Sequence, residues 1–483
     1  MAELEAWMRV RPPLEVSLVD AERTVDAWQS GGVKGILLGP LRFDTRLQDA
    51  STLADIRALG TLPPGEGQHV PAFAPNPTIY RRYGVVTPPT PEPDLEERFS
   101  ALGKFLDLAK RKSMAVWLID PGDGMVGPDP DTDSIPDDLD HRLLVDDAWR
   151  RAFLARMTDA VERVPQADGI VLTRPAWGWS AGMSGPGDLL GPLPPDAGPL
   201  AAELGLDLGR LEAALERLRT RIRKLTREAA RLGANGGAFG TATMLGLDPG
   251  IVSFFAFRAR ALSRFALAVH DVTDRISKAR GRELKFGVSP PSPSFAPLAG
   301  YDFPGLATIC DLVVPRLGIH HRGHDGIYGI VSLWVAALNG WSSSLWEAES
   351  FEATAALTGI SLPSTEPGAK PGARMVSQKE FDRGYPEAFW REVVEAEARR
   401  TVAQADGYPW RALPMVAGGR RPMGGEAIGA SDFRRLLEAI RDGGVRQVVH
   451  YDHARLTAGE WSVLSEFSGS AWRAGSGYEP PDL

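Results

Sequence analysis

Eight short apolar runs, separated by stretches with helical periodicity, constrain this 483-residue chain more than any other feature. They occupy residues 33–39, 69–74, 114–120, 169–173, 285–289, 312–319, 410–416 and 445–451. Unbroken Val, Ile and Leu without polar alternation suits strands covered on both faces by helices, as in a parallel sheet. Amphipathic stretches near 20–31, 95–112, 147–164, 387–405 and 431–442 precede five of the runs. Parallel pairing demands a crossover of a dozen or more residues, which these stretches supply. Eight such units match a closed (β/α)8 TIM barrel of the α/β class. A doubly wound open sheet is the competing architecture. It would carry a glycine-rich phosphate turn after an early strand, whereas Pro40, Leu41 and Arg42 follow the run 33–39.

Two connections exceed the ordinary loop length. Residues 174–250 hold a Pro/Gly-rich loop and a helix of mixed charge, read as an insertion over the rim; 340–385 read as a second insertion. The whole chain is then one barrel domain. The net charge of −8 argues against nucleic acid and anionic membrane surfaces. The N-terminal segment lacks the apolar core of a signal peptide and no run of ~18 apolar residues occurs, so the expected location is cytoplasmic. The single Cys310 excludes an internal disulfide framework and reads as a core thiol. Oligomeric state is not legible.

In barrels of strand–helix units, chemistry is done at the C-terminal ends of the strands. Residues at or just past those ends are Arg42, Asp44, Asn76, Tyr80, Asp120, Asp123, Arg174, Trp177, Trp179, Ser289 and Arg316, followed by His320, His321, His324 and Asp325, then His450, Tyr451, Asp452 and His453. Carboxylates, guanidinium groups and large aromatic faces together suit a carbohydrate, whose C–H faces stack and whose hydroxyls bond. Glycoside hydrolysis generally takes two carboxyl groups, about 5–5.5 Å or about 6.5–9.5 Å apart. Asp120 and Asp452 each close a strand directly and are the expected pair. Either carboxylate would serve equally to orient an arginine or cap a helix. The substrate-binding set is Arg42, Asp44, Tyr80, Arg174, Trp177, Trp179, Arg316, His320, His450 and Tyr451, with Trp177 and Trp179 either stacking platforms or packing under the insertion. No cofactor is expected. The clustered histidines with Asp325 or Asp452 leave a metal-dependent hydrolase as an alternative. The acidic run 129–140 lacks the glycine and glutamate spacing of a calcium loop and reads as solvated.

The segments KFGVSPPSP (285–293) and GYDFPGLATICDLVVPRLG (300–318), with ADGIVLTRPAWGW (167–179), resemble glycoside-hydrolase-like TIM barrels from largely uncharacterised bacterial families. The segment AAELGLDLGRLEAALERL is similar to a helix that in those families follows a cysteine-bearing loop. The resemblance implies the barrel fold and a carbohydrate or glycoconjugate substrate. It also has two departures. Thr173 stands where those families place an acidic residue, and the loop cysteines are missing. The first moves acid/base chemistry to Asp120, Asp452 or an insertion residue such as Glu347, or leaves a sugar-binding barrel without catalysis.

Overall fold

The structure, a computed structural model, describes residues 4–47, 50–60, 69–89, 95–122, 139–180, 188–318, 327–365, 373–381, 383–417 and 429–483. Ten strands follow in chain order: β1 Glu5–Val10, β2 Val33–Leu38, β3 Arg42–Asp44, β4 His69–Pro71, β5 Ala115–Ile119, β6 Gly169–Leu172, β7 Lys285–Val288, β8 Leu312–Val313, β9 Met415–Val416 and β10 Gln447–His450. Eight form one parallel sheet in the order β8-β7-β6-β5-β2-β1-β10-β9. The two edges then meet. Parallel bridges join Val313 to Ala412 and Arg316 to Met415, and the Leu413 amide donates to the Val313 carbonyl at 2.9 Å. The sheet is a closed barrel, as the count of eight predicted.

The membership of that eight differs from the sequence expectation. Residues 69–74 are not in the barrel, because β4 pairs antiparallel with β3 in a separate two-stranded sheet. Pro71 lacks an amide donor, which suits such an edge position. The missing barrel strand is β1, whose sequence Glu-Ala-Trp-Met-Arg-Val mixes charged and apolar residues. Its side chains alternate between the two faces. Ala6, Met8 and Val10 join the core under the helices, while Trp7 joins a cluster inside the barrel. A search for unbroken apolar runs passes over this pattern.

That inner cluster comprises Trp7, Leu37, Trp117, Ile119, Val171, Leu312, Val314, Leu413, Met415 and Val449. Room for the two indoles comes from glycine. A Cβ on Gly35 would lie 2.4 Å from the Trp7 ring, and one on Gly169 2.6 Å from the Trp117 ring. The interior is thus packed, with large side chains set against absent ones.

The outer layer follows from helical periodicity. Helix Asp147–Arg163 buries Phe153, Met157 and Val161, and its N-terminus is closed by Asp146, whose carboxylate accepts from the Ala148 amide at 2.7 Å. Asp146→Ala is expected to cost about 1 kcal/mol, read as a lower urea midpoint with an unchanged m-value. The helices that follow β6 and those that follow β8 pack into one body. Helices Leu208–Arg223, Arg227–Asn235 and Gly237–Met244, after β6, pack on Ile327–Trp341 and Glu347–Thr358, after β8. Ser342 donates to the Leu225 carbonyl at 2.8 Å, and Arg231 pairs with Glu349 at 2.6 Å. Helix Pro249–Arg280 then leads from this body back to β7. Among the described residues no single helix is long and apolar enough to cross a membrane.

Candidate functional site

The inward alternation of β1 continues past Trp7 to Arg9 and Arg11, two residues apart in each step. Arg9 is only 6% exposed. Its Nη1 donates to the Met415 sulfur at 3.5 Å, and its guanidinium lies 5.0 Å from the centre of the Tyr451 ring. Arg11 covers the same ring at 5.1 Å. Burial lowers the Arg9 pKa most strongly; Tyr451 and Asp120 oppose that effect, and the like charges of Arg11 and Arg316 add to it. Strands β1, β5, β8 and β10 therefore bring four charges and a phenol to one mouth.

Asp120 follows β5 with a φ of 50°, a left-handed conformation that a side chain other than glycine adopts at some cost. Its carboxylate is 7% exposed and clamped by Thr173. The Thr173 amide donates to Oδ1 at 2.8 Å, and the Thr173 hydroxyl lies 2.6 Å from both oxygens. So the threonine that replaces the expected acid at the end of β6 instead holds the acid at the end of β5. Burial pushes the Tyr301 phenol upward, reinforced by Asp140 and Asp120 and opposed by Arg316.

Asp452 has a different task from the one its position suggested. Its Oδ1 accepts from the Ala454 amide at 3.1 Å, capping the short helix His453–Arg455. Oδ2 lies 4.0 Å from Arg11 and 3.6 Å from Arg455. Burial raises the Asp452 pKa while Arg11, Arg455 and His450 pull it back. These contacts engage Asp452 with the chain's own backbone and with two arginines.

Several expected site residues serve elsewhere. Asp44 accepts a two-pronged bond from Arg46, at 3.1 and 2.7 Å, and its amide donates to buried Glu15. Arg42 sits beside it on β3. The Tyr80 ring is buried with Ile79 and Ala155, and burial pushes its hydroxyl up to about 12. Trp177 is buried under the insertion, donating to the Arg258 carbonyl at 2.8 Å with its ring 5.6 Å from Phe257. A ring buried on both faces offers no stacking platform. Trp179 is partly buried, 5.8 Å from the Phe295 ring. Arg174 lies 3.8 Å from Asp140 and is half exposed. His450 points out of the barrel, 3.3 Å from Glu460 and against Phe433. An even–odd count along β10 separates it from Tyr451, which faces the mouth. Glu347 accepts from the Gln378 amide at 2.6 Å, within the insertion.

His320, His321, His324, Asp325, Asp123 and residues 129–138 lie outside the described residues. Among the described residues no group of three His, Cys, Asp or Glu side chains gathers as a metal would require. Residues the sequence reading missed are Arg9, Arg11, Tyr301 and Asp140. Trp7, Arg9 and Arg11 at a spacing of two, ending in Pro12 and Pro13, were the signal for the first two.

No family model matches the chain, and no curated protein matches it. Among solved structures it is similar to a glycoside hydrolase family 18 N-acetylglucosaminidase from Paenibacillus barengoltzii, at 8% identity and a TM-score of 0.40, over 96% of this chain and 99% of that one. A β-galactosidase from the Antarctic haloarchaeon Halorubrum lacusprofundi is similar at 11% identity and a TM-score of 0.47, over 96% and 58%. An endo-β-1,4-mannanase from Thermotoga petrophila is similar at 8% and 0.38, over 97% and 76%. These neighbours are glycoside hydrolases. At such identities the likeness is one of chain path and assigns no chemistry to the mouth.

Proposed function

We propose that the chain is a glycoside-hydrolase-like enzyme whose barrel mouth binds a carbohydrate. Asp120 is its reacting carboxylate, and Asp140 supplies the second carboxyl group. The observation that carries this reading is Asp120 itself. It is an acid at the end of a barrel strand, held in a left-handed backbone conformation, with both oxygens fixed by Thr173. Strained backbone concentrates at functional sites, and a fixed carboxylate spends little on reorganisation during reaction. Arg174, just past β6, lies 3.8 Å from Asp140, and β6 is the neighbour of the strand that Asp120 follows. Two carboxyl groups about one mouth are what acid/base cleavage of a glycosidic bond needs.

A second reading has one observation in its favour. The Thr173 clamp occupies Asp120 fully enough that the mouth would hold a sugar without cleaving it. The deciding experiment is release of reducing ends from a panel of aryl glycosides and oligosaccharides. The proposal expects turnover on at least one member, lost in both Asp120→Asn and Asp140→Asn. Sugars that raise the melting temperature with no release from any member would assign the mouth to binding alone.

A further inference from the structure

Arg9 is a cation enclosed by protein from which no carboxylate accepts a hydrogen bond among the described residues; Asp120 acts on it only through its charge. It is buried, with 6% of its surface exposed. Its hydrogen-bond acceptor is the Met415 thioether, its Nε has no partner among the described residues, and its nearest flat neighbour is the Tyr451 ring. Arg11 adds a second guanidinium 5.1 Å from the centre of that ring, and Arg316 adds a third charge that acts on Arg9. Against these stands Asp120, which the Thr173 hydroxyl and amide already engage. Asp452 lies 4.0 Å from Arg11, too far for a hydrogen bond, and shares itself with Arg455. Buried charges are ordinarily paired, because leaving one without its counterion is expensive. A barrel interior otherwise filled by Trp, Leu, Val and Met gains nothing in packing from a guanidinium there.

We infer that the mouth takes an anionic group of its ligand, a sugar carboxylate, between Arg9 and Arg11 above Tyr451. This rests on the carbohydrate reading for the sugar and on Arg9 alone for the anion. The planar guanidinium fork matches a carboxylate in a bidentate pair, and its preference over a neutral hydroxyl rises as water is excluded. Both guanidinium groups rest on the Tyr451 ring, 5.0 and 5.1 Å from its centre, so one side chain positions the two forks. A phosphate or sulfate ester presents related oxygen geometry, so the ligand's anion is tested by source.

Thermal unfolding of the full chain at constant ionic strength is measured with D-glucuronate, D-glucose, D-glucose 6-phosphate, D-glucose 6-sulfate and inorganic phosphate. The expected result is a rise in melting temperature with glucuronate and none with glucose. A rise only with the phospho- or sulfo-sugar keeps the anion site and changes its source. A rise with inorganic phosphate equal to that with any sugar keeps the anion site and removes the carbohydrate reading. Equal rises with glucose and glucuronate overturn the anion site and leave the carbohydrate reading standing; no rise with any anion overturns it too. Arg9→Met is expected to unfold at a higher temperature than the parent and to lose the glucuronate shift. A lower unliganded melting temperature would mark Arg9 as a structural strut and overturn the inference. Arg11→Gln, on the more exposed arginine, gives an independent arm and is expected to bind glucuronate about tenfold more weakly; unchanged affinity there also counts against the site.

Discussion

An Asp120→Asn variant is expected to lose about 10²–10⁴-fold in kcat, the range for removing one acid/base group from an active site. The substitution is close to isosteric, and its remaining oxygen can still accept from the Thr173 amide, which now lies 2.8 Å from Oδ1. The melting temperature should therefore stay near the parent's while turnover falls. KM should change little, since the loss is of an interaction made during reaction and not on binding. Thr173→Val separates the clamp from the acid. It keeps the carboxylate but removes the hydroxyl that lies 2.6 Å from both oxygens, so its kcat should fall by less than that of Asp120→Asn. Turnover of Asp120→Asn within about threefold of the parent would remove Asp120 from the chemistry. The measurement is initial rate against substrate concentration on whichever glycoside the panel identifies.

The second large effect is on stability and depends on pH. His453 is 1% exposed and lies edge-on to Trp28 with ring centres 5.6 Å apart; the Arg9 backbone beside its ring favours the protonated form but does not offset burial. Burial, helped by nearby His450, pushes its pKa down to about 3. The unfolded chain takes up this proton near pH 6.5, and the folded chain does not until about pH 3. Between those values the unfolded state binds more protons, so stability rises with pH and is lost as pH falls. Each unit of acidification below 6.5 removes about 1.4 kcal/mol, or about 3 kcal/mol by pH 4. Other buried groups titrate in the same range; Asp452, pushed upward by burial, acts in the opposite sense. The comparison that isolates His453 is therefore the difference between parent and His453→Leu in urea unfolding, measured from pH 7.5 to pH 4. That difference is expected to shift in favour of the leucine variant as the pH falls. Parallel stability curves would mean that His453 protonates as easily folded as unfolded.

Both predictions turn on features that a one-dimensional reading sees only in part. Asp120 stands out in the sequence because it directly closes an apolar run, and strand ends are where barrels place their chemistry. Asp452 satisfied the same criterion and yet caps a helix and lies beside two arginines. The two differ in what stands opposite, a threonine in one instance and two arginines in the other, and no spacing along the chain encodes that. Tyr80, Trp177 and His450 illustrate the same limit. Tyr80 sits in a helix beyond β4, Trp177 past β6 and His450 at the end of β10, and each is turned into packing.

The sequence by itself determined the architecture: eight parallel units, their helices, and the long excursions after the fourth and sixth barrel strands. Hydrophobic periodicity is a local signal, repeated at every unit, and it survives the misassignment of one strand. Only the tertiary structure decided which charges share the mouth. Arg9 reached it on a strand whose alternation hid it, and Thr173 and Asp120 met because neighbouring strands in a parallel barrel place their ends side by side. Such meetings depend on register and on which face each residue turns inward, and a shift of one residue reverses every one of them.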